Sequence, residues 1–89
     1  MKTHELKTVQ PHFEQVFSGK KRAEIRRDDR GFEVGDRLIL REYDAIGGIY
    51  SGRTIEARVT HVLSGFEGLA PGYVALSIEP LQTTLFEVM

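Results

Sequence analysis

The sequence predicts an α+β fold, a small β-barrel of about five strands with one short N-terminal helix capping it. Three observations predict this fold. One early stretch carries apolar residues at helical spacing, several later stretches alternate apolar with polar residues, and Gly-rich turns separate them. A sheet with one apolar face removes its edges most economically by closing. We expect a single domain over residues 1–89, with the barrel in residues 1–79 and a C-terminal tail in residues 80–89.

The first strand and the helix are predicted near the N-terminus. Residues 3–9 read as a strand, and Pro11 suits the first turn of a helix because its missing N–H costs nothing there. Gly19 favours a left-handed stop, so the helix would be about two turns long. Its apolar stripe consists of Phe13, Val16 and Phe17.

Residues 22–27 form the second predicted strand. Ala23 and Ile25 are expected to face the core, and Glu24 and Arg26 to share the opposite face. Two apolar side chains after this strand are expected to join the core: Phe32 and Val34.

Three further strands complete the predicted sheet. They cover residues 37–43, 53–63 and 73–79, and the Gly-rich segment 44–52 would be a mobile hairpin loop. Pro80 would end the last strand. The tail beyond it is apolar enough to pack on a partner chain, which offers a route to a homodimer or to a contact with another protein. Its apolar residues are Leu85, Phe86, Val88 and Met89.

Composition restricts the classes of function. The chain has no cysteine, which excludes disulfides and cysteine-based zinc sites, and its three histidines lack the paired spacing of a metal site. No apolar run could span a bilayer, so we expect a cytoplasmic protein without membrane contact and without a cofactor. The net charge of −1 argues against binding driven mainly by counterion release. Nevertheless, residues 19–30, GKKRAEIRRDDR, form a local basic cluster.

Residues 19–26, GKKRAEIR, match the pattern G-x-K-x-x-E-x-R, and the segment FEVGD at residues 32–36 leads into a predicted strand. A short helix, a glycine, this motif and a following V-G-D resemble the ASCH domains, a branch of the PUA-like β-barrels. The segments around residues 4–7, 50–53 and 72–77 are similar to the DUF3850 subgroup of small phage and bacterial proteins. The resemblance covers the chain to about residue 79.

The resemblance implies a PUA-like barrel that binds RNA in a cleft between the helix and the motif strand. Some relatives of the family resemble a small amidohydrolase that removes the acetyl group from an acetylated cytidine, and others have been regarded as ribonucleases. Lys21 matches the motif lysine of the amidohydrolase. Glu24 stands where that enzyme has a threonine, and its distant glutamate has no clear counterpart here.

Two classes of function follow for the basic cluster. In an RNA- or nucleotide-binding domain, a set of basic side chains would contact phosphates, and Tyr50 would stack on a base. Glu24 would accept a hydrogen bond from a base amino group or orient Lys21 or Arg26. In a nucleoside amide hydrolase, Lys21 would act as a base and Glu24 as a proton shuttle. His4 is included among the nucleic-acid-binding residues and could also be a ligand or a proton carrier, although a lone histidine is more often structural. The phosphate-contacting set would be Lys21, Arg22, Arg26 and Arg27.

Overall fold

The computed structural model describes residues 1–84 of the 89-residue chain. This part contains five strands and one short helix, as the periodicity predicts. In chain order the elements are β1 (Thr3–Thr8), α1 (His12–Phe17), β2 (Ala23–Arg27), β3 (Arg37–Asp44), β4 (Ile49–Ser64) and β5 (Tyr73–Thr84).

The five strands form one curled sheet, a half-barrel with the order β1-β3-β4-β5-β2. β1 is parallel to β3, and the other neighbouring pairs are antiparallel. In the part of the chain that the structure describes, β1 and β2 are the sheet edges, so the predicted closure by backbone pairing is absent there.

Arginine side chains bridge the two edges instead. Arg26 donates from Nη2 to the carbonyl oxygen of Lys7 at 3.0 Å, and Arg30 donates from Nη1 to that of Glu5 at 2.9 Å. The carbonyl of Lys2 accepts from the N–H of Arg37 on the β3 side. Because backbone groups alternate in direction along a parallel strand, odd-numbered carbonyls of β1 face the free edge, where the guanidinium groups satisfy those of Glu5 and Lys7.

The core lies on the concave face of the sheet. α1 contributes Phe13 and Val16, which are fully buried, and Phe17 packs against the cluster from a partly buried position. Phe32 is buried as predicted. The other buried apolar residues are Leu6, Leu38, Leu40, Ile55, Ala57, Val59, Val74, Leu76 and Ile78.

Val34 was assigned to the core by the sequence, and this assignment is wrong. Its side chain is 63% exposed, whereas Asp36 is buried. The segment between β2 and β3 is not a strand, so a period of two does not apply to it. Gly35 has a φ of 96°, a left-handed conformation that glycine adopts without a Cβ penalty, and it turns the chain into β3.

β2 buries the face that was predicted to be exposed and exposes the face that was predicted to join the core. Ile25 is 63% exposed and Ala23 is also exposed, whereas Glu24 is 4% exposed. Directly opposed residues of paired strands share a face of the sheet. Glu24 lies opposite Leu76 and Arg26 opposite Val74, two core residues of β5, so the charged pair faces inwards.

β5 continues through Pro80 to Thr84, four residues beyond the predicted stop. The N–H of Ile78 bonds to the carbonyl of Arg22, immediately before β2 begins. The nitrogen of Pro80, two residues further on, points to the same side of β5. At this level β5 has passed the first residue of β2, so no partner strand requires a donor there. The tail residues proposed as a partner contact, 85–89, lie outside the described residues.

The β3–β4 hairpin turns more tightly than predicted. Asp44 accepts the N–H of Ile46 through Oδ1 at 3.0 Å, and its carbonyl accepts the N–H of Gly48 at 2.7 Å. β4 therefore begins at Ile49, and Tyr50 belongs to a strand rather than to a mobile loop.

One arginine fastens α1 to the sheet. The guanidinium carbon of Arg53 lies 5.0 Å from the ring centre of Phe13 and 4.9 Å from that of Phe17. Its Nη2 contacts Glu14 of the helix at 3.1 Å, and its Nε lies 3.2 Å from Glu42 of β3. A helix of six residues is too short to be stable alone, so such contacts hold it in place. Within residues 1–84, no helix combines the length and apolar character that a membrane crossing requires.

Candidate functional site

A cleft of about 350 Å³ opens between the two sheet edges, beside the start of α1. The motif residues Lys21, Glu24 and Arg26 line it together with residues of β1 and of the helix. The lining residues are Lys7, Thr8, Val9, His12, Lys21, Ala23, Glu24, Ile25 and Arg26.

The three central motif residues converge on this cleft, as the sequence predicts. Lys21 Nζ lies 3.8 Å from Glu24 Oε1, and Arg26 Nε donates to Glu24 Oε2 at 3.1 Å. Gly19 ends the helix with a φ of 82°, and the N–H of Lys21 then bonds back to the carbonyl of Gln15 at 3.0 Å. This turn brings the motif lysine beside the carboxylate three residues later.

Glu24 has an unmet hydrogen-bonding capacity. Its side chain is 5% exposed, and among residues 1–84 its Oε1 atom has no hydrogen-bond partner. A buried acceptor without a partner costs about 1–3 kcal/mol. Because Glu24 lines the cleft, a molecule that enters there with a donor group would remove this penalty.

Arg26 serves the structure as well as the cleft. Besides its bond to Glu24, its Nη2 contacts the carbonyl of Lys7 and, at 3.3 Å, the hydroxyl of Thr8. Two of its three guanidinium nitrogens are therefore engaged, Nη2 in joining β2 to β1 and Nε in holding Glu24 within β2. This geometry makes Arg26 primarily a residue that orients Glu24 and keeps the cleft edges at a fixed separation.

His12, which the sequence did not single out, also belongs to the cleft. Its Nδ1 lies 3.3 Å from Lys21 Nζ. Thr8 lines the cleft through its position at the end of β1. No local pattern links these two residues to the motif, because only the chain reversal after α1 brings them together.

Arg22 and Arg27, predicted to contact phosphates, do not line this cleft. Both are exposed. The guanidinium carbon of Arg27 lies 5.4 Å from the ring centre of Tyr73, on the outer side of β2. The inversion of β2 explains this difference, since the alternation that turns Arg26 inwards turns Arg27 outwards.

Tyr50 lies outside the cleft as well, 40% exposed on β4. The guanidinium carbon of Arg41 lies 4.0 Å from its ring centre, and the ring of Tyr43 meets it edge-on at 4.9 Å. On the other side of this pair, Lys7 Nζ lies 4.5 Å from the ring centre of Tyr43. The two tyrosines and two cations form one cluster at the base of the β3–β4 hairpin.

His4 is a structural residue in this fold, not a cleft residue. It is 6% exposed, its Nε2 lies 2.9 Å from Asp36 Oδ2, and its ring packs 4.7 Å from that of Phe32. Burial raises the pKa of Asp36, but bonds from the N–H of Lys2, the His4 ring and the N–H of Glu33 outweigh it and lower the pKa to about 2. The carboxylate thus ties β1 to the turn before β3.

A second cavity of about 400 Å³ lies between the β1–α1 connection and the β3–β4 hairpin, whose residues line it. Val9 lines both cavities, and Tyr43 and Ile46 form an apolar wall of the second. At its base, a bond from the Ser51 hydroxyl lowers the pKa of Glu42; burial opposes this, and Gln10 and a nearby arginine reinforce it. This carboxylate is therefore already satisfied by the protein.

The described part of the chain holds no group of three or more histidine, cysteine, aspartate or glutamate side chains placed to bind a metal ion.

Comparison with known proteins identifies the relatives of the chain. It is 49% identical over 61 residues to a protein of Escherichia phage P2 described as an uncharacterized 12.9 kDa protein in the GpA 3′ region. The match covers 68% of this chain and 54% of the relative, so the chain spans about half the length of the curated relative it matches. A family model described as a domain of unknown function, DUF3850, matches residues 3–78, which include every lining residue of the cleft, and the chain belongs to this family.

Proposed function

We propose that the cleft between β1 and β2 binds a nucleotide, free or as part of a single-stranded RNA. The observation that supports this proposal most directly is the buried carboxylate of Glu24, whose Oε1 has no hydrogen-bond partner among the described residues and which lines the cavity together with Lys21 and Arg26. Such a carboxylate accepts a hydrogen bond from the amino group of a base. A mononucleotide combines this donor with an anionic phosphate.

Charge and size agree with this class of ligand. Lys21 and Arg26 place two positive charges beside the single negative charge of Glu24, so the cleft favours an anion overall. Its volume of about 350 Å³ lies in the range of small-molecule sites, about 300–1,000 Å³. Few phosphates could be neutralised there, which is consistent with a net charge of −1 for the whole chain.

We also propose that the half-barrel is related to the ASCH branch of the PUA-like barrels. The support is the order of helix, positive-φ glycine and motif strand, together with the convergence of Lys21, Glu24 and Arg26 on one cleft. In this relationship the cleft corresponds to the RNA-binding cleft that the motif implies.

The test measures binding of nucleoside monophosphates by calorimetry and of labelled single-stranded RNA by fluorescence anisotropy. Lys21→Ala should weaken binding by about 10–100-fold, the equivalent of one charge-assisted hydrogen bond. Lys20→Ala is the matched control, because this neighbouring lysine is exposed and outside the cleft lining. Equal affinities for the two variants, or no binding by the folded protein, would contradict the proposal.

Glu24→Gln tests the role assigned to the carboxylate. It retains the shape of the side chain but loses the charge that favours an amino donor. Binding of cytidine, adenosine and guanosine monophosphates should fall relative to uridine monophosphate, whose base lacks an exocyclic amino group. An unchanged order of affinities among the four would show that Glu24 does not read the base.

A hydrolase acting on an acylated nucleoside is the second candidate, favoured by one observation. Lys21 Nζ lies between His12 Nδ1 at 3.3 Å and Glu24 Oε1 at 3.8 Å, so three groups able to carry protons meet in the cleft. Turnover of an N-acetylated cytidine, abolished in Lys21→Ala, would support this activity. Binding without any hydrolysis of acylated nucleosides would leave the binding function alone.

A further inference from the structure

Two cavities of nucleotide size flank the same short segment of chain. The cleft holds about 350 Å³ and the second cavity about 400 Å³, and Val9, which follows β1, lines both. They therefore adjoin each other at Val9, just after the end of β1. A ligand longer than one nucleotide that occupied the cleft would be directed towards the second cavity.

The second cavity has the character of a base site. Tyr43 offers an aromatic ring in its wall, and Ile46, which is fully exposed to solvent, offers an apolar surface. Base stacking on an aromatic ring contributes about 1–3 kcal/mol per base and tolerates any sequence. A base is uncharged, so the two carboxylates in the lining do not repel it, and Glu42 is also paired with Arg53 Nε at 3.2 Å.

One lysine of the cleft contacts a residue of the second cavity. Lys7 lines the cleft, and its Nζ lies 4.5 Å from the ring centre of Tyr43, which lines the second cavity. An ammonium at this point is placed for the phosphate that joins two successive nucleotides. The positive charge of Lys7 is thus located where a bridging ligand would carry the negative charge of its linking phosphate.

We infer that the second cavity is a base-binding subsite built on Tyr43, and that the ligand of the protein is a single-stranded oligonucleotide spanning both cavities with its linking phosphate at Lys7. The inference rests on the proposed function of the cleft. It replaces Tyr50, the residue that the sequence favoured for stacking, with its neighbour Tyr43, because Tyr50 lines neither cavity.

The experiment compares a nucleoside monophosphate with a dinucleotide and a tetranucleotide of the same base, at one salt concentration, by calorimetry. The wild-type protein should bind the dinucleotide and tetranucleotide at least 10-fold more tightly than the monophosphate. Tyr43→Leu should remove this gain and leave monophosphate affinity within twofold. Tyr43→Phe, which keeps the ring, should retain the gain, and so should Tyr73→Leu, which alters a tyrosine paired with Arg27 outside both cavities.

The outcomes separate the two proposals. Monophosphate binding with no gain for longer ligands, or a gain that persists in Tyr43→Leu, would overturn the second subsite and leave the cleft intact. No binding of any of the three ligands by the folded protein would overturn the function of the cleft and the subsite with it. If Tyr43→Leu fails to fold, Ile46→Ser replaces it, because Ile46 is fully exposed and lines only the second cavity. Loss of the gain in Ile46→Ser supports the inference, and an unchanged gain in that variant overturns it.

Discussion

Replacing Asp36 by asparagine should weaken the hydrogen bonds that hold β1 against the turn before β3. The carboxylate is 1% exposed and accepts three hydrogen bonds, from the N–H of Lys2 at 2.9 Å, the ring of His4 at 2.9 Å and the N–H of Glu33 at 3.0 Å. An asparagine has the same shape but replaces one accepting oxygen with a donating NH₂ group. At least one buried donor would then face another donor.

The pKa of Asp36 sets the size and the pH range of the effect. It falls from 3.8 to about 2 on folding, which corresponds to about 2 kcal/mol of the free energy of unfolding. Because the folded-state pKa is the lower one, this contribution is complete above about pH 4–5. It is lost progressively as the pH falls through 3.8 towards 2.

At pH 6 we expect Asp36→Asn to lose about 2–4 kcal/mol, the lost charge interaction together with an unsatisfied donor. For a domain of this size the melting temperature should fall by roughly 10–20 °C. Urea unfolding followed by circular dichroism at pH 6 and at pH 2.5 measures both quantities. The difference between wild type and variant should shrink by about 1–2 kcal/mol at the lower pH, because this carboxyl group is almost fully protonated in the unfolded wild-type chain there, while in the folded protein it is still mostly ionised.

Asp29→Asn provides the control, since this aspartate is 64% exposed and should change stability by less than about 0.5 kcal/mol. The reasoning would be refuted if Asp36→Asn matched the control at pH 6. It would also be refuted if the loss for Asp36→Asn were equal at the two pH values, because the carboxylate would then not titrate at the depressed value.

Three further changes test the packing around the cleft by the same unfolding measurements. Phe13→Ala should cost about 3–5 kcal/mol because it empties a fully buried position beneath α1; a loss below 1 kcal/mol would mean that the helix does not contribute to the core. Ile25→Thr should change stability by less than about 0.5 kcal/mol because Ile25 faces solvent, whereas a loss of 2 kcal/mol would restore the inward assignment of this residue. Arg26→Met should cost about 3 kcal/mol because it leaves the buried carboxylate of Glu24 without its partner; combining it with Glu24→Gln should recover part of this loss, and purely additive losses would contradict the coupling.

Local patterns were sufficient for the elements and for the central motif. The apolar spacing of Phe13 and Val16 locates the helix, and a glycine at residue 19 ends it with a positive φ as expected. The five strands follow from alternation and turn residues. Alternation along β2 places Glu24 and Arg26 on one face, and the resemblance to the G-x-K-x-x-E-x-R motif added Lys21 to them.

The faces of β2, the extent of β5 and the remaining cleft residues depended on tertiary structure. Alternation defines two faces of a strand but not which of them is buried; the pairing of Glu24 with Leu76 and of Arg26 with Val74 decides this. Pro80 ends a strand only if its nitrogen must donate, and its place beyond the end of β2 removes that need.

His12 and Thr8 join the cleft through contacts between segments that are far apart in the sequence. The amino-acid sequence by itself therefore determined the short-range order of helix, strands and motif, since these depend on interactions within a few residues. Only the curled sheet decided which charges are buried, which edges face each other and which side chains share the cleft, because those outcomes depend on the strands and loops that become neighbours on folding.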